Sequence, residues 1–415
     1  MQPFETGRTL PAKSLDFWFD YTCPYAYLGS TQAAALAARM GVELTYRPLL
    51  LGGVFRAHGT AQRLFETLSP AKAAHNMADM QRWAEKFGVQ LTMPANHPMR
   101  SVEALRATLA TGIDPQVIAA FYRAYWVENA SIGDRDVIAK VVSGCGHDAE
   151  EVLAAIETPA IKDDLRARTE EAVRLGIFGV PAWVVDGTHL YWGQDRIAFV
   201  EGKGREGESP SAISGTGTEK KSVELYWDFS SPFGYLGATQ AEGLARRAGA
   251  TITWRPLLLG GLFRSLGGPD VPIATFSPAK QAYLGKDLER WAAYWGVPYR
   301  FPSRFPTNSL RALRVYFALP EARQGSYRDA VFRACWAEDR DITDDAVLAS
   351  CIGDEQIAKD AFAKAGSPEV KSALRAATEH AAAQGVFGVP TYVVNGRDLY
   401  WGQDRLALLE EALRE

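Results

Sequence analysis

The chain has 415 residues, with 45 Lys and Arg against 49 Asp and Glu, a formal net charge of -4. Its 47% hydrophobic and 23% charged residues are those of ordinary globular proteins, which excludes collagen-like, disordered and coiled-coil readings; two or three domains fit the length. The charge balance offers no basic excess for nucleic acid and no Lys/Arg cluster for an anionic membrane, and four cysteines without a CxxC spacing make neither a disulfide framework nor a zinc site.

The amino-terminal stretch lacks the apolar core of a signal peptide, and no run of 18 apolar residues occurs. The expectation is a cytoplasmic, soluble protein. The first element, Leu15-Asp-Phe-Trp-Phe-Asp20, is a continuous aromatic run that suits a strand buried on both faces. A Cys-Pro turn and an Ala-rich helical stretch follow over 25–40, then a second strand over 42–47. The short crossover implies a parallel pair. Residues 70–175 carry helical periodicity, as in Asp79-Met-Gln-Arg-Trp83. Val180-Pro181 then leads into a strand at Trp183-Val-Val, an Asp186-Gly turn that signals a hairpin, a short strand and a last helix.

The same order then recurs. Residues 15–56 and 223–264 align without a gap at 22 identities in 42 positions, and 175–197 and 384–406 at 15 in 23. A period near 200 residues is too long for a solenoid, so each copy must carry its own core. Copy one occupies 1–200 and copy two 221–415. The run 201–220, rich in Gly, Ser and charge, reads as a flexible linker spanning roughly 25 Å. The order βαβ, helical insertion, ββ, helix is an α/β architecture: tandem thioredoxin-like domains, each with a helical insertion.

Three places in each copy could carry chemistry. The turn after the first strand puts Cys23 or Ser231 at a helix start, followed by Pro at an early helical position. The free amides and positive helix end favour an anion there, which predicts a lowered pKa for Cys23 and lets the Ser231 hydroxyl bond a bound thiolate. On the turn alone, Cys23 could equally be a small packed hydrophobe and Ser231 an ordinary cap. Val180-Pro181 and Val389-Pro390 occupy the place where a thioredoxin-like topology has a cis proline beside the active turn, with the preceding backbone groups facing a peptide-like ligand. Read locally, each could also be an edge proline opening a strand. The third place is Tyr191-Trp-Gly-Gln-Asp-Arg196, repeated as Tyr400-Trp-Gly-Gln-Asp-Arg405. It reads as a helix start capped by Gln-Asp, or as exposed amides and an Asp that hold the charged end of a small ligand.

Taken together, D-x-x-S-P-x-x-Y-L, R-P-x-L-L-G, P-x-N-S-L-x-A-L-R, G-V-F-G-V-P and W-G-Q-D-R resemble the 2-hydroxychromene-2-carboxylate isomerases. These are relatives of the kappa-class glutathione transferases in the DsbA-like branch of the thioredoxin fold. The resemblance covers nearly the whole chain, once per copy, and copy two matches better. It implies glutathione as cofactor, with Ser231 activating its thiol. The backbone of Val389 would hold the cysteinyl part and Gln403 with Asp404 the γ-glutamyl end, with Pro390, Trp401 and Gly402 also at the cofactor site. It also implies a glutathione-dependent cis–trans isomerisation, or a related transfer, on an aromatic carboxylate in bacterial aromatic breakdown. An internal pseudo-dimer of the copies is the expected assembly.

For the substrate, Phe263, Tyr283 and Trp291 could supply an apolar wall, and Lys280, Arg264 or Arg255 a cation. Asn308 is a further substrate-site candidate by resemblance. Aromatics at helical spacing are equally core residues. Copy one departs from the pattern, with Cys23 for the serine and Arg100 where copy two has Asn308, while Val180, Pro181, Gln194 and Asp195 remain. Cys23-Pro-Tyr-Ala26 resembles a DsbA-like or monothiol glutaredoxin turn without its resolving cysteine, so the alternative function is thiol–disulfide oxidoreduction through Cys23. The six histidines show no metal-ligand spacing, and Cys145, Cys335 and Cys351 read as inert core residues.

Overall fold

A computed structural model describes residues 12–202 and 221–414. The expected linker at 201–220 lies almost wholly outside the described residues. In copy one, β1 (Ser14–Phe19), α1 (Pro24–Met40) and β2 (Glu43–Pro48) form the opening βαβ unit. Next come α2 (Leu51–Ala57), α3 (Pro70–Phe87), α4 (Val102–Ala110), α5 (Pro115–Trp126), α6 (Arg135–Gly144), α7 (Ala149–Ala155) and α8 (Pro159–Arg174). The closing elements are β3 (Ala182–Val185), β4 (His189–Trp192) and α9 (Ile197–Val200).

Copy two repeats the order. It begins with β5 (Ser222–Trp227), α10 (Pro232–Ala248), β6 (Thr251–Pro256), α11 (Leu259–Ser265) and α12 (Pro278–Trp295). The insertion continues through α13 (Leu310–Ala318), α14 (Glu321–Trp336), α15 (Asp345–Ile352), α16 (Glu355–Lys364) and α17 (Pro368–Ala383). It ends with β7 (Thr391–Val394), β8 (Asp398–Trp401) and α18 (Leu406–Ala412).

Each sheet has four strands, in the orders β2-β1-β3-β4 and β6-β5-β7-β8. The first two strands of each copy pair in parallel, as the short crossover requires, and the last two add antiparallel. At the hairpin tips Asp186 and Gly187, and Asn395 and Gly396, all have positive φ, as a two-residue primed turn demands. The turn side chains also tie the sheet together: Asp186 Oδ1 accepts the Ser14 N–H, and Asn395 Oδ1 the Ser222 N–H.

The helical insertion anchors the loop that follows the first strand. The Trp126 indole donates to the Tyr21 carbonyl at 2.8 Å, and the Trp336 indole to the Phe229 carbonyl at 2.8 Å. Both indoles are fully buried, so each bond also satisfies a donor that has no access to water.

The two compact units do not follow the repeat boundary. Ser69–His75, the start of α3 in copy one, belongs to the second unit, and Ser277–Tyr283, the start of α12 in copy two, belongs to the first.

Candidate functional site

In the second unit, Ser231 is the residue that caps α10. Its backbone is extended, Pro232 fills the first helical position, and its hydroxyl accepts the Gly234 N–H at 3.0 Å. The hydroxyl donates in turn to the Val389 carbonyl at 3.3 Å, beside the cis Val389–Pro390 bond. The Ser-Pro turn and the Val-Pro element, 158 residues apart in sequence, therefore meet at one hydroxyl. Its bond to Val389 is long, so it can be exchanged at small cost for a bond to an anion.

Beneath the turn lies a carboxylate that sequence reasoning quoted within a motif and gave no role. Asp228 is fully buried, accepting the Ser230 N–H at 2.9 Å on one oxygen and the Leu259 N–H at 2.6 Å on the other. The Ser309 hydroxyl bonds it as well. Burial raises its pKa, and these donors oppose the rise. Asp228 thus joins three motifs, since Leu259 starts α11 in the Arg-Pro-Leu-Leu-Leu-Gly run and Ser309 lies in the Asn-Ser-Leu run. Asp20 has the same role in copy one, with donors from Thr22, Leu51 and Ser101. The sequence shows only that the same acid follows the first strand of both copies.

The Trp-Gly-Gln-Asp-Arg run packs onto the Val-Pro element. A Cβ on Gly388 would lie 2.7 Å from the Trp401 indole nitrogen, so glycine is what lets this ring close over the chain before Val389. Phe387 packs on the same indole at 5.0 Å. Gly402, at φ 109, brings its own backbone against the Asp404 carboxylate, where a Cβ would stand 2.5 Å from Oδ1. The expected Gln-Asp cap is not what forms. The run makes a one-turn 3-10 helix, Gln403–Arg405, without a side-chain cap, and Asp404 pairs with Arg405 at 3.1 Å. Gln403 is buried.

The first unit repeats this geometry with different chemistry. Cys23 caps α1 without a side-chain cap bond, and its thiol donates to the Val180 carbonyl at 3.0 Å, beside the cis Val180–Pro181 bond. The expected lowering of its pKa does not occur: burial pushes the thiol up to about 12. The Tyr25 and Ala26 amides oppose this, and the Asp20 carboxylate adds to it. Part of the residue remains exposed, but its sulfur packs against the core and donates its proton to a carbonyl, so the neutral thiol is the favoured form. Gln194 is buried like Gln403, with no hydrogen-bond partner for its Nε2 among the described residues, and Asp195 pairs with Arg196 at 2.9 Å.

The residues expected to wall the substrate do not gather as one group. Lys280 and Tyr283 belong to the first unit, where Lys280 Nζ lies 5.4 Å from the Trp192 ring centroid and the Tyr283 hydroxyl accepts the Trp192 N–H at 2.9 Å. Their assignment to the Ser231 site is corrected accordingly. In the Ser231 unit their positions are taken by Lys72 and His75 from copy one, which sequence reasoning passed over because it kept each repeat whole. Trp291 is buried and stacks on Trp295 at 4.7 Å, which makes it a packing residue of α12. Phe263 lies half-buried on α11, and Asn308 is exposed, its side-chain oxygen accepting the Leu310 N–H at 3.0 Å as α13 begins. Among the described residues no cluster of His, Cys, Asp or Glu could hold a metal, and no helix is long and apolar enough to cross a membrane.

A hydroxyl or thiol at a helix start, facing a Val–cis-Pro carbonyl in a four-stranded sheet with a helical insertion, defines a thioredoxin-like protein. The model of the DSBA-like thioredoxin domain matches the chain twice, over 14–203 and 222–414, and the chain belongs to that family. Within it, the chain belongs with the 2-hydroxychromene-2-carboxylate isomerases and kappa-class glutathione transferases. The 2-hydroxychromene-2-carboxylate isomerase of Sphingobium xenophagum is 32% identical over 202 residues, covering 46% of this chain and 98% of that protein. Glutathione S-transferase kappa 1 of Homo sapiens is 29% identical over 212 residues, covering 47% and 92%. A solved 2-hydroxychromene-2-carboxylate isomerase structure, 31% identical, covers 46% of this chain and 94% of its own at a TM-score of 0.40.

Proposed function

We propose that the chain is a glutathione-dependent cis–trans isomerase of the 2-hydroxychromene-2-carboxylate type, acting on an aromatic carboxylate, with the Ser231 turn as its competent site. The observation that carries this reading is the Ser231 hydroxyl, held by the Gly234 amide at the start of α10 and facing the Val389 carbonyl. The names of the relatives support it.

The residues fit glutathione. A hydroxyl donor at a helix start suits a thiolate, and the Val389–Pro390 backbone suits the cysteinyl unit of a peptide-like ligand. Gln403 and Asp404 would hold the γ-glutamyl end. When bound, glutathione would supply a thiolate that adds reversibly to the conjugated, ring-opened substrate, permits bond rotation and leaves unchanged. Ser231 turns its proton from Val389 to that sulfur. The Gly234 amide polarises the hydroxyl, and Asp228 holds the turn through the Ser230 amide, so the donor needs no rearrangement of the backbone. The two copies act as an internal pseudo-dimer in this reading, supported by the seven residues each compact unit takes from the other copy. The free state of all four cysteines agrees with a cytoplasmic setting rich in reduced thiols.

Calorimetry with glutathione tests the reading. Wild type should bind, and Ser231→Ala should weaken one site and abolish turnover of a hydroxychromene-type carboxylate. Absence of binding would overturn it and bring Cys23 thiol chemistry forward. A stoichiometry near two would mean that both copies keep the cofactor site, and near one that the Cys23 copy has lost it.

A further inference from the structure

We propose that the second unit holds a further binding site, for a planar aromatic carboxylate, in a cavity of about 430 Å³ walled by Tyr226, Trp254, Tyr316 and Phe317 and presenting Arg255 and His380. The cavity lies among β5, β6, α13 and α17, and none of the residues placed around the Ser231 hydroxyl lines it. A volume of this order admits a small organic ligand.

The walls are fixed by packing. Arg328, buried on α14, lays its guanidinium carbon 3.3 Å from the Trp254 ring centroid and pairs with Glu242 at 3.0 Å and Asp329 at 2.8 Å. That cation is neutralised, and it backs the indole. Tyr226 is buried, with His380 stacked on it at 6.5 Å and an interplanar angle of 24°. Tyr316 meets Trp227 edge-on at 5.2 Å. Aromatic rings held in place this way suit a flat aromatic body.

The polar groups favour an anion. Among the described residues, Arg255 is the one lining side chain of fixed charge, and no carboxylate lines the cavity. Arg255 Nε and Nη2 bond the same Glu224 oxygen, Nε at 2.8 Å, which leaves guanidinium donors for a ligand. The Tyr316 hydroxyl and the His380 ring nitrogens have no hydrogen-bond partner among the described residues.

Copy one places larger or acidic groups at the same positions. Thr169 and Thr378 are equivalent, their hydroxyls accepting the Leu50 and Leu258 amides at 3.0 Å. The residue before is Arg168 in copy one, paired with Asp164 at 2.9 Å, and Ala377 in copy two, on the cavity wall. His380 answers to Glu171, an acid that would repel a carboxylate. Trp18 takes the place of Tyr226, each opposite its arginine in the strand register, and Arg47 lies 5.9 Å from the Trp18 ring centroid. The site therefore belongs to copy two.

Calorimetry on the full chain tests this with 2-naphthoate and its neutral analogue 2-naphthamide. Wild type should bind 2-naphthoate with or without glutathione, and the amide about tenfold more weakly. Arg255→Met should weaken 2-naphthoate by about tenfold and leave the amide as it was. Ala373→Asp combined with Ala377→Arg rebuilds the copy-one pair on α17 and should remove the site, with thermal unfolding as in wild type. A folded double variant that binds 2-naphthoate like wild type overturns the proposal. So do equal affinities for acid and amide, or no binding by wild type. None of these outcomes bears on the glutathione reading, and a failure to bind glutathione would leave this site standing.

Discussion

The Cys23 and Ser231 turns share a backbone and differ in the capping group and in the side chains around it. Each caps a helix, precedes a proline, rests on a buried Asp and points at the carbonyl before a cis proline. In copy two the third residue on is Gly234, whose amide reaches the serine oxygen; in copy one it is Ala26, whose amide opposes the rise of the thiol's pKa without closing a cap bond. The serine oxygen is therefore polarised to donate to an anion, while the thiol keeps its proton. A helix N-terminus alone does not make a reactive cysteine, because burial and a carboxylate below can outweigh the amides.

The comparison breaks most readily at the serine. Ser231→Ala should lower isomerase turnover by about 100- to 1000-fold, the range for losing one preorganised donor to a developing anion, whereas Cys23→Ala should change it less than about threefold. Equal losses would make the two turns chemically equivalent. Next in size is the shared foundation. Asp228→Asn sets a donor against the Ser230 or Leu259 amide and should cost about 2–3 kcal/mol in thermal unfolding, with Asp20→Asn similar because its donors match. A loss in one copy alone would show that the two foundations differ.

The thiol itself sharpens the contrast by its pH dependence. Iodoacetamide alkylation of Cys23 should keep accelerating above pH 9, with its midpoint displaced towards about 12, and a plateau near neutrality would contradict the buried-thiol picture. The sign for stability follows. An unfolded cysteine ionises near its ordinary 9.0 and the folded one only towards about 12, so the native state loses stability as pH rises between them. Cys23→Ser should flatten that loss. The smallest effects lie at the exchanged segments. His75→Phe and Tyr283→Phe each leave a strand-end amide without its acceptor and should cost about 1 kcal/mol in unfolding.

Local pattern carried much of this into the sequence. The aromatic runs of β1 and β5, the Asp-Gly and Asn-Gly hairpins and the Val-Pro elements are set by residues close in the chain, and the repeat doubled each signal. Other features were not legible. The short helix α2 hid inside a Leu-rich run that local pattern does not divide. The hub role of Asp228 needs donors from three distant segments. The placement of Lys72 and Lys280 depends on tertiary exchange, which repeat alignment conceals because both copies read the same. The sign of the Cys23 shift was missed for a related reason: sequence shows the helix start and says nothing of how deeply the sulfur is packed.

The most direct measurement is the pH titration of bound glutathione, followed by thiolate absorbance, in wild type and in Ser231→Ala. If Ser231 stabilises the anion, glutathione in wild type ionises well below the ordinary thiol range, and the shift at one site disappears in the variant. Identical titration curves in the two proteins would contradict the assignment of Ser231 as the activating group.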